Sequence, residues 1–187
     1  IIDIHTNRLS VPKEILPHFG VFMVSDFFVY NNEVYFSAIN EGLFKITYKN
    51  NIPVIEPVFK FQFAYSLGFY NNTIFSGNKG FIDRLKIQDL ISGKTASKSF
   101  GKSVVWDFAK DKNNTLYGAA WGIFDLSGGL YRITDNEMTN ISEQYGIDSK
   151  SLLNVVYNAK KDILYVGSKD KGIYEIQLDK TIDYNPF

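Results

Sequence analysis

Side chains that could perform catalysis are few in this chain of 187 residues. The chain has no cysteine, which excludes disulfides, thiolate metal sites and a cysteine nucleophile. Its two histidines, His5 and His18, both fall in the irregular N-terminal part. Because a lone histidine is a poor metal site and a poor general base, we predict structural or surface roles for both. The sequence therefore predicts a non-catalytic protein with no metal and no cofactor.

A second set of residues is better suited to binding than to catalysis. Counting back from a recurring aromatic residue, and allowing for turn length, four segments carry a polar or aromatic residue at matching positions: Asp26, Ser66, Trp106 and Asn154. An aromatic face can stack on the apolar face of a sugar, while polar groups bond its hydroxyls. We predict that these four residues line a channel and contact a ligand. The alternative is that they only solvate the channel.

Trp121 is a further candidate contact. The sequence places it in the longest connection between two strands, residues 119–128, and loops carry function disproportionately. The glycine-containing stretch 118–122 lacks the Gly-Lys-Ser/Thr ending of a phosphate loop, so we interpret it as an interstrand loop. Trp121 is predicted either to contact a ligand or partner at the rim or to pack beneath its own loop.

The composition is that of a soluble β-rich protein. Hydrophobic residues make up 45%, charged residues 21% and aromatic residues 16%, and aromatic residues favour strands. Twenty basic residues balance 20 acidic ones, so no basic excess favours nucleic acid or an anionic membrane. No apolar run approaches the roughly 20 residues that span a bilayer. The chain does not begin with Met, and we expect it to be a piece of a longer protein.

An internal repeat organises the candidates. The aromatic residues Tyr35, Phe75, Tyr117 and Tyr165 lie 40, 42 and 48 positions apart. A period of about 40–50 residues with several short strands is typical of a β-propeller. Helical repeats share the period, but these segments are short, rich in Val, Ile, Phe and Tyr, and separated by Asn-Asn or Asp-Lys-Asn-Asn.

Each unit predicts the same order of strands. An inner strand is followed by a polar hairpin turn, a second strand with the aromatic residue, and a glycine that opens a third strand; the glycines are Gly42, Gly80, Gly129 and Gly172. Weaker outer strands are predicted at 54–58, 96–100 and 138–141. The predicted fold is an all-β propeller of about four four-stranded antiparallel blades, at residues 23–60, 63–100, 103–142 and 152–187.

We interpret residues 1–20 as outer strands of a preceding blade. The chain is then an incomplete part of a larger propeller. Its unpaired edges would favour self-association or a protein partner.

The third and fourth units resemble the two-component regulator propeller repeat. In the third unit, Leu116-Tyr117 is followed by Gly129-Leu130-Tyr131-Arg132-Ile133. In the fourth, Leu164-Tyr165-Val166-Gly167-Ser168 is followed by Gly172-Ile173-Tyr174. The first two units match more loosely, and the resemblance covers residues 23–180.

This resemblance implies a function. Proteins with the repeat are often periplasmic sensor regions of hybrid histidine kinases in Bacteroides-like bacteria. It therefore implies a periplasmic or cell-surface propeller that binds oligosaccharides and signals through a two-component system, with a histidine kinase in the parent protein. The alternative is a structural or protein-interaction propeller of a surface or secretion-associated protein.

Overall fold

Four antiparallel sheets follow one another along the chain in a computed structural model that describes residues 2–3, 8–9, 23–61, 63–91, 98–123, 127–134 and 137–178. Blade one contains β3 (Val24–Tyr30), β4 (Glu33–Ala38), β5 (Gly42–Lys49) and β6 (Ile52–Phe59). Blade two contains β7 (Ser66–Tyr70), β8 (Thr73–Gly77), β9 (Ile82–Lys86) and β10 (Lys98–Phe100). A short helix, α1 (Ile87–Ile91), follows β9.

Blade three contains β11 (Val104–Lys110), β12 (Leu116–Trp121), β13 (Gly129–Ile133) and β14 (Met138–Asn140), followed by a 3-10 turn at Glu143–Tyr145. Blade four has β15 (Leu152–Asn158), β16 (Ile163–Ser168) and β17 (Ile173–Gln177) within the described residues. Near the N-terminus, β1 (Ile2–Asp3) pairs antiparallel with β2 (Arg8–Leu9). The predicted all-β fold of antiparallel blades is confirmed, and the assignment of residues 1–20 to a preceding blade stays a prediction.

The hairpin turns adopt the conformation that their residues favour. Asn31 and Asn32 have φ of 48° and 61°, and Asn71 and Asn72 have φ of 45° and 54°. Two-residue turns with positive φ match the twist of the flanking strands, and asparagine tolerates them better than most residues. Thus the Asn-Asn pairs fix the register between inner and second strands in blades one and two.

The four recurring glycines occupy the position that the repeat predicts for them. Gly42, Gly80, Gly129 and Gly172 have φ of 116°, 102°, 129° and 79°, a region that side chains disfavour. A Cβ on Gly42 would lie 2.3 Å from the carbonyl oxygen of Phe59 in the outer strand. The predicted role of these glycines, an unusual backbone conformation beside the third strand, is confirmed.

Apolar side chains between adjacent sheets form three successive cores. The recurring aromatic residues mark them: Tyr35 packs between blades one and two, Phe75 between two and three, and Tyr117 between three and four. All three are buried. Burial of apolar surface at about 25 cal/mol per Å² makes these inter-blade cores the main cohesive term.

Hydrogen bonds from polar side chains join the inner strands. The Leu67 N–H of blade two donates to Asp26 Oδ2 of blade one at 2.7 Å. The Val155 N–H of blade four donates to Asp107 Oδ2 of blade three at 2.9 Å. Each aspartate also accepts the N–H of the residue after it, so both carboxylate oxygens are used.

Two serines add further bonds between neighbouring blades. Ser25 Oγ donates to the Ala64 carbonyl at 2.5 Å, and Ser66 Oγ donates to the Val105 carbonyl at 2.8 Å. A Cβ on Gly77, which pairs with Ser66, would lie 2.1 Å from the same Val105 oxygen, so only glycine permits this approach. The inner strands are therefore fastened to one another by side chains.

We expect Asp107→Ala to lower the free energy of unfolding by about 2 kcal/mol. The substitution leaves the Val155 N–H without its acceptor and removes a charge-assisted hydrogen bond between blades three and four. Urea denaturation followed by far-UV circular dichroism measures the change.

The matched control is Glu175→Ala, which removes an exposed carboxylate from β17. We expect this change to stay within about 0.5 kcal/mol of the original protein. Equal unfolding free energies for the two variants would contradict the proposed fastening by Asp107.

Candidate ligand-binding site

One rim of the propeller gathers the starts of the inner strands and the ends of the second strands. The two strands of each hairpin are antiparallel, so their turn lies at the opposite rim. Val104 at the start of β11, for example, pairs with Trp121 at the end of β12. Side chains that precede an inner strand or end a second strand are thereby brought together from different blades.

Four aromatic side chains form a continuous row at this rim. The ring centroids of Phe63 and Tyr65 lie 6.3 Å apart, and those of Tyr65 and Trp106 lie 4.8 Å apart with the rings stacked. The ring of Trp121 continues the row at 5.8 Å from Trp106, tilted by 49°. These residues, named here the aromatic row, extend from the entrance of blade two across blade three.

Local backbone features aim each ring. Phe63 has φ of 58°, which is uncommon for an aromatic residue, and the Tyr65 N–H donates to the Gly77 carbonyl at 2.8 Å. Trp106 occupies a β-bulge between Val105 and Asp107, and a bulge turns its side chain away from the regular alternation.

Trp121 is held from two sides. It pairs with Val104 within blade three, and its backbone forms an isolated antiparallel bridge with Ser151 at the entrance of blade four. The following N–H, of Gly122, donates to the Lys150 carbonyl at 2.7 Å. The prediction that Trp121 lies in a loop is wrong: residues 119–121 continue β12, because this pairing extends the strand.

A lysine lies over each end of the aromatic row. The Lys79 Nζ atom is 5.6 Å from the centre of the Phe63 ring, and Lys169 Nζ is 5.0 Å from that of Trp121. Both distances allow cation–π attraction. Both lysines are exposed and follow a second strand, in blades two and four.

The indole nitrogen of Trp106 is a buried donor inside the row. Trp106 Nε1 has no hydrogen-bond partner among the described protein atoms. A buried donor without an acceptor costs roughly 1–3 kcal/mol, and such groups need an explanation in a native structure.

Three of the four residues predicted to line a channel occupy equivalent positions on their inner strands, and their facing a channel stays a prediction. Asp26 pairs with Ser37, Ser66 with Gly77 and Asn154 with Gly167, which are equivalent places in the three blades. In blade three this place belongs to Asp107, which pairs with Ala119. Trp106 is one residue earlier because Asp107 lies 12 positions before its partner Ala119, whereas Asn154 lies 13 positions before its partner Gly167.

Most of this ring holds the blades together. Both carboxylate oxygens of Asp26 and of Asp107 accept backbone N–H groups, and Ser66 donates to a carbonyl of blade three. Asn154 is exposed, and its side chain forms a hydrogen bond with Asp107 of blade three. A ligand-binding role for the polar residues of the ring stays a prediction.

The two aspartates also influence one another. Burial raises the pKa of Asp26 and of Asp107 above the ordinary value, and the backbone N–H groups that each carboxylate accepts oppose the rise. The negative charge of Asp26 raises the pKa of Asp107 further.

Sequence inspection found Trp106 and Trp121 but missed their partners. Phe63 and Tyr65 lie just before an inner strand, as Trp106 lies near the start of one. This shared position near the start of an inner strand could have identified Phe63 and Tyr65 as candidates from the sequence. Lys79 and Lys169 carry no comparable signal, because exposed lysines are common in turns.

Other chemistry is sparse in the described part of the chain. His5 and His18 lie outside the described residues. Within the described ranges, no group of three or more His, Cys, Asp or Glu side chains could hold a metal ion.

Comparison with known proteins gives matches to structures alone. No family model matches the chain, and no curated protein matches it. Among solved structures, PorZ, a surface component of the type-IX secretion system of Porphyromonas gingivalis, matches with a TM-score of 0.68 at 15% identity. That match covers 94% of this chain and 28% of PorZ.

Two further structures carry the same fold. The extracellular domain of the hybrid two-component system BT3049 of B. thetaiotaomicron matches with a TM-score of 0.67 at 15% identity, covering 95% of this chain and 24% of that one. The WD40 β-propeller domain of Doa1 matches with a TM-score of 0.59 at 14% identity, covering 87% and 54%.

At these identities the likeness shows the fold, a β-propeller. The first two structures are of the kinds that the repeat resemblance implied, an extracellular domain of a Bacteroides two-component system and a secretion-associated surface protein. The chain spans about a quarter of the length of these two proteins. In the described residues, no helix has the length and apolarity needed to cross a membrane.

We expect Asp26→Asn to lower the pKa of Asp107. The substitution removes the negative charge that opposes ionisation of the Asp107 carboxyl, while burial of Asp107 continues to raise its pKa. Titration of the side-chain carboxyl carbon by NMR measures the shift. Glu33→Gln, in the hairpin of blade one, is the control and should leave the value unchanged. An unaltered Asp107 pKa in the Asp26 variant would show that the two carboxylates do not interact electrostatically.

Proposed function

We propose that this chain is part of an extracytoplasmic ligand-binding propeller that senses oligosaccharides for a two-component signalling system. The observation that carries the proposal is the aromatic row, with a buried indole donor in its middle. The described blades act by binding and not by catalysis. The extracellular domain of BT3049 and the surface protein PorZ, which share the fold, support an extracytoplasmic location.

The chemistry of the row suits sugars. Sugar rings present apolar C–H faces that pack against aromatic faces, and hydroxyl oxygens that accept an indole N–H. Tyr65 and Trp106 stack on each other, so a ligand packs against the exposed side of the row and not between these rings. The partly exposed ring of Trp121 offers a face on which a sugar can stack once Lys169 moves aside.

The position of the row links binding to signalling. Its residues come from the entrance of blade two and from blade three, and Lys169 adds a contact from blade four. A ligand shifts a conformational equilibrium only through different affinities for the two states. If the blades move relative to one another, a ligand that contacts three of them has different affinities for the two arrangements.

A second candidate function is supported by exposed apolar residues on the end blades. Ile173 and Val156 in blade four are 75% and 60% exposed, and Phe27 in blade one is 68% exposed. Sheet faces of this kind favour self-association or a protein partner. This candidate is a structural or protein-interaction propeller of a surface or secretion-associated protein.

We expect Trp121→Ala to weaken oligosaccharide binding at least tenfold, because it removes the end of the row that offers a ring face. Both tryptophans of the chain belong to the row, so intrinsic fluorescence reports binding directly. Titration with a panel of neutral and acidic oligosaccharides, confirmed by calorimetry, identifies the ligand in the original protein.

The control is Tyr48→Ala, which removes an exposed aromatic residue from β5 of blade one, outside the row. It should leave the affinity unchanged. An unchanged oligosaccharide affinity in Trp121→Ala would show that the aromatic row is not the binding site. If the original protein bound no oligosaccharide of the panel, the proposed sensor function would be contradicted.

The interaction candidate makes a separate prediction. If apolar faces drive self-association, Ile173→Lys should lower the mass-average molecular mass measured by light scattering at high protein concentration. Lys171→Gln, beside it on the same turn, is the control for a change in charge. If the original protein is monomeric at every concentration, self-association through these faces is contradicted. A different protein would then be the partner that this candidate function requires.

A further inference from the structure

We infer that the ligand of the aromatic row is an acidic oligosaccharide, one that carries carboxylate or sulfate groups. This inference rests on the proposed sugar-binding function and adds the class of sugar. The observation behind it is that the row ends in a lysine ammonium at both ends, Lys79 over Phe63 and Lys169 over Trp121.

The lysine over Trp121 discriminates between neutral and acidic sugars. A neutral sugar that stacks on Trp121 must displace the Lys169 ammonium, whose attraction to the ring is then lost. An acidic sugar stacks on the ring while its anionic group pairs with the displaced ammonium. Because the lost contact is replaced, the acidic sugar binds with the higher affinity.

Two described carboxylates in this part of blade four, Asp170 and Asp148, have partners other than Lys169. The neighbouring Asp170 accepts a hydrogen bond from Ser149 Oγ at 2.5 Å. Asp148 pairs with Lys171 at 3.1 Å and also accepts the hydroxyl of Tyr174. Lys169 itself forms no ion pair with any described residue at 4.0 Å or less. Among the described residues, an anionic group of a ligand would therefore displace no ion-pair partner of Lys169.

The test compares acidic oligosaccharides with neutral forms of the same backbone. The probes are short oligomers of galacturonate, of mannuronate and of chondroitin sulfate, each beside its carboxyl-reduced form, which for chondroitin is also desulfated. Binding is followed by tryptophan fluorescence and calorimetry. We expect at least one acidic probe to bind about tenfold more tightly than its neutral form, with an affinity that falls as salt is raised.

Lysine variants assign the effect to the row. Lys169→Gln and Lys79→Gln should each weaken acidic binding about three- to fivefold, as expected for partly exposed charge pairs. Lys169→Gln should leave neutral binding unchanged or stronger, because the ring face is no longer covered. The control is Lys160→Gln, an exposed lysine in the hairpin turn of blade four at the opposite rim, which should change neither affinity.

The outcomes separate this inference from the proposed function. Equal binding of acidic and neutral forms, or acidic binding that both lysine variants leave intact, overturns the acidic ligand while the sugar-binding function stands. Absence of binding by every acidic and neutral probe overturns both. Binding that Trp121→Ala abolishes and Lys169→Gln weakens only for acidic probes establishes both.

Discussion

Side-chain hydrogen bonds between inner strands are the constraint on which the rest of this structure depends. Adjacent blades are separate sheets, and within the described residues their backbones pair only where residues 121–122 meet 150–151. Asp26 and Asp107 compensate by accepting one N–H from their own strand and one from the next blade. Burial of each carboxylate is unfavourable, but two N–H donors offset that cost.

This fastening also determines the geometry of the rim. Trp106 directly precedes Asp107, so the bulge that directs the indole into the row lies next to the bond that holds blade four. Tyr65 likewise precedes Ser66, whose hydroxyl bonds to blade three. The stacked rings at 4.8 Å are therefore carried by backbone whose position is fixed by inter-blade bonds. Any change in blade arrangement must alter the row.

Local sequence signals predicted the parts of the fold that depend on local interactions. Asn-Asn turns and the recurring glycines specify hairpins, so the order of inner, second and third strands could be predicted. The failures involve contacts between blades: the shift from Trp106 to Asp107, the extension of β12 through Trp121, and the structural use of both aspartates. Phe63 and Tyr65 belong to the row because Tyr65 stacks on Trp106 of blade three and Phe63 lies beside Tyr65. The sequence of a single repeat does not predict a contact between two blades.

The hydrogen bonds of the polar groups support the proposed recognition at the rim instead of in the channel. Asp26, Asp107 and Ser66 already use their side chains to join the inner strands, so a ligand that recruited them would compete with the bonds between blades. The Trp106 indole N–H and the Lys169 ammonium form none of the described hydrogen bonds between blades. A ligand bound at the proposed site would contact blades two, three and four without replacing these bonds. Its binding energy would then depend on the angles between blades, which is the coupling that the proposed sensor requires.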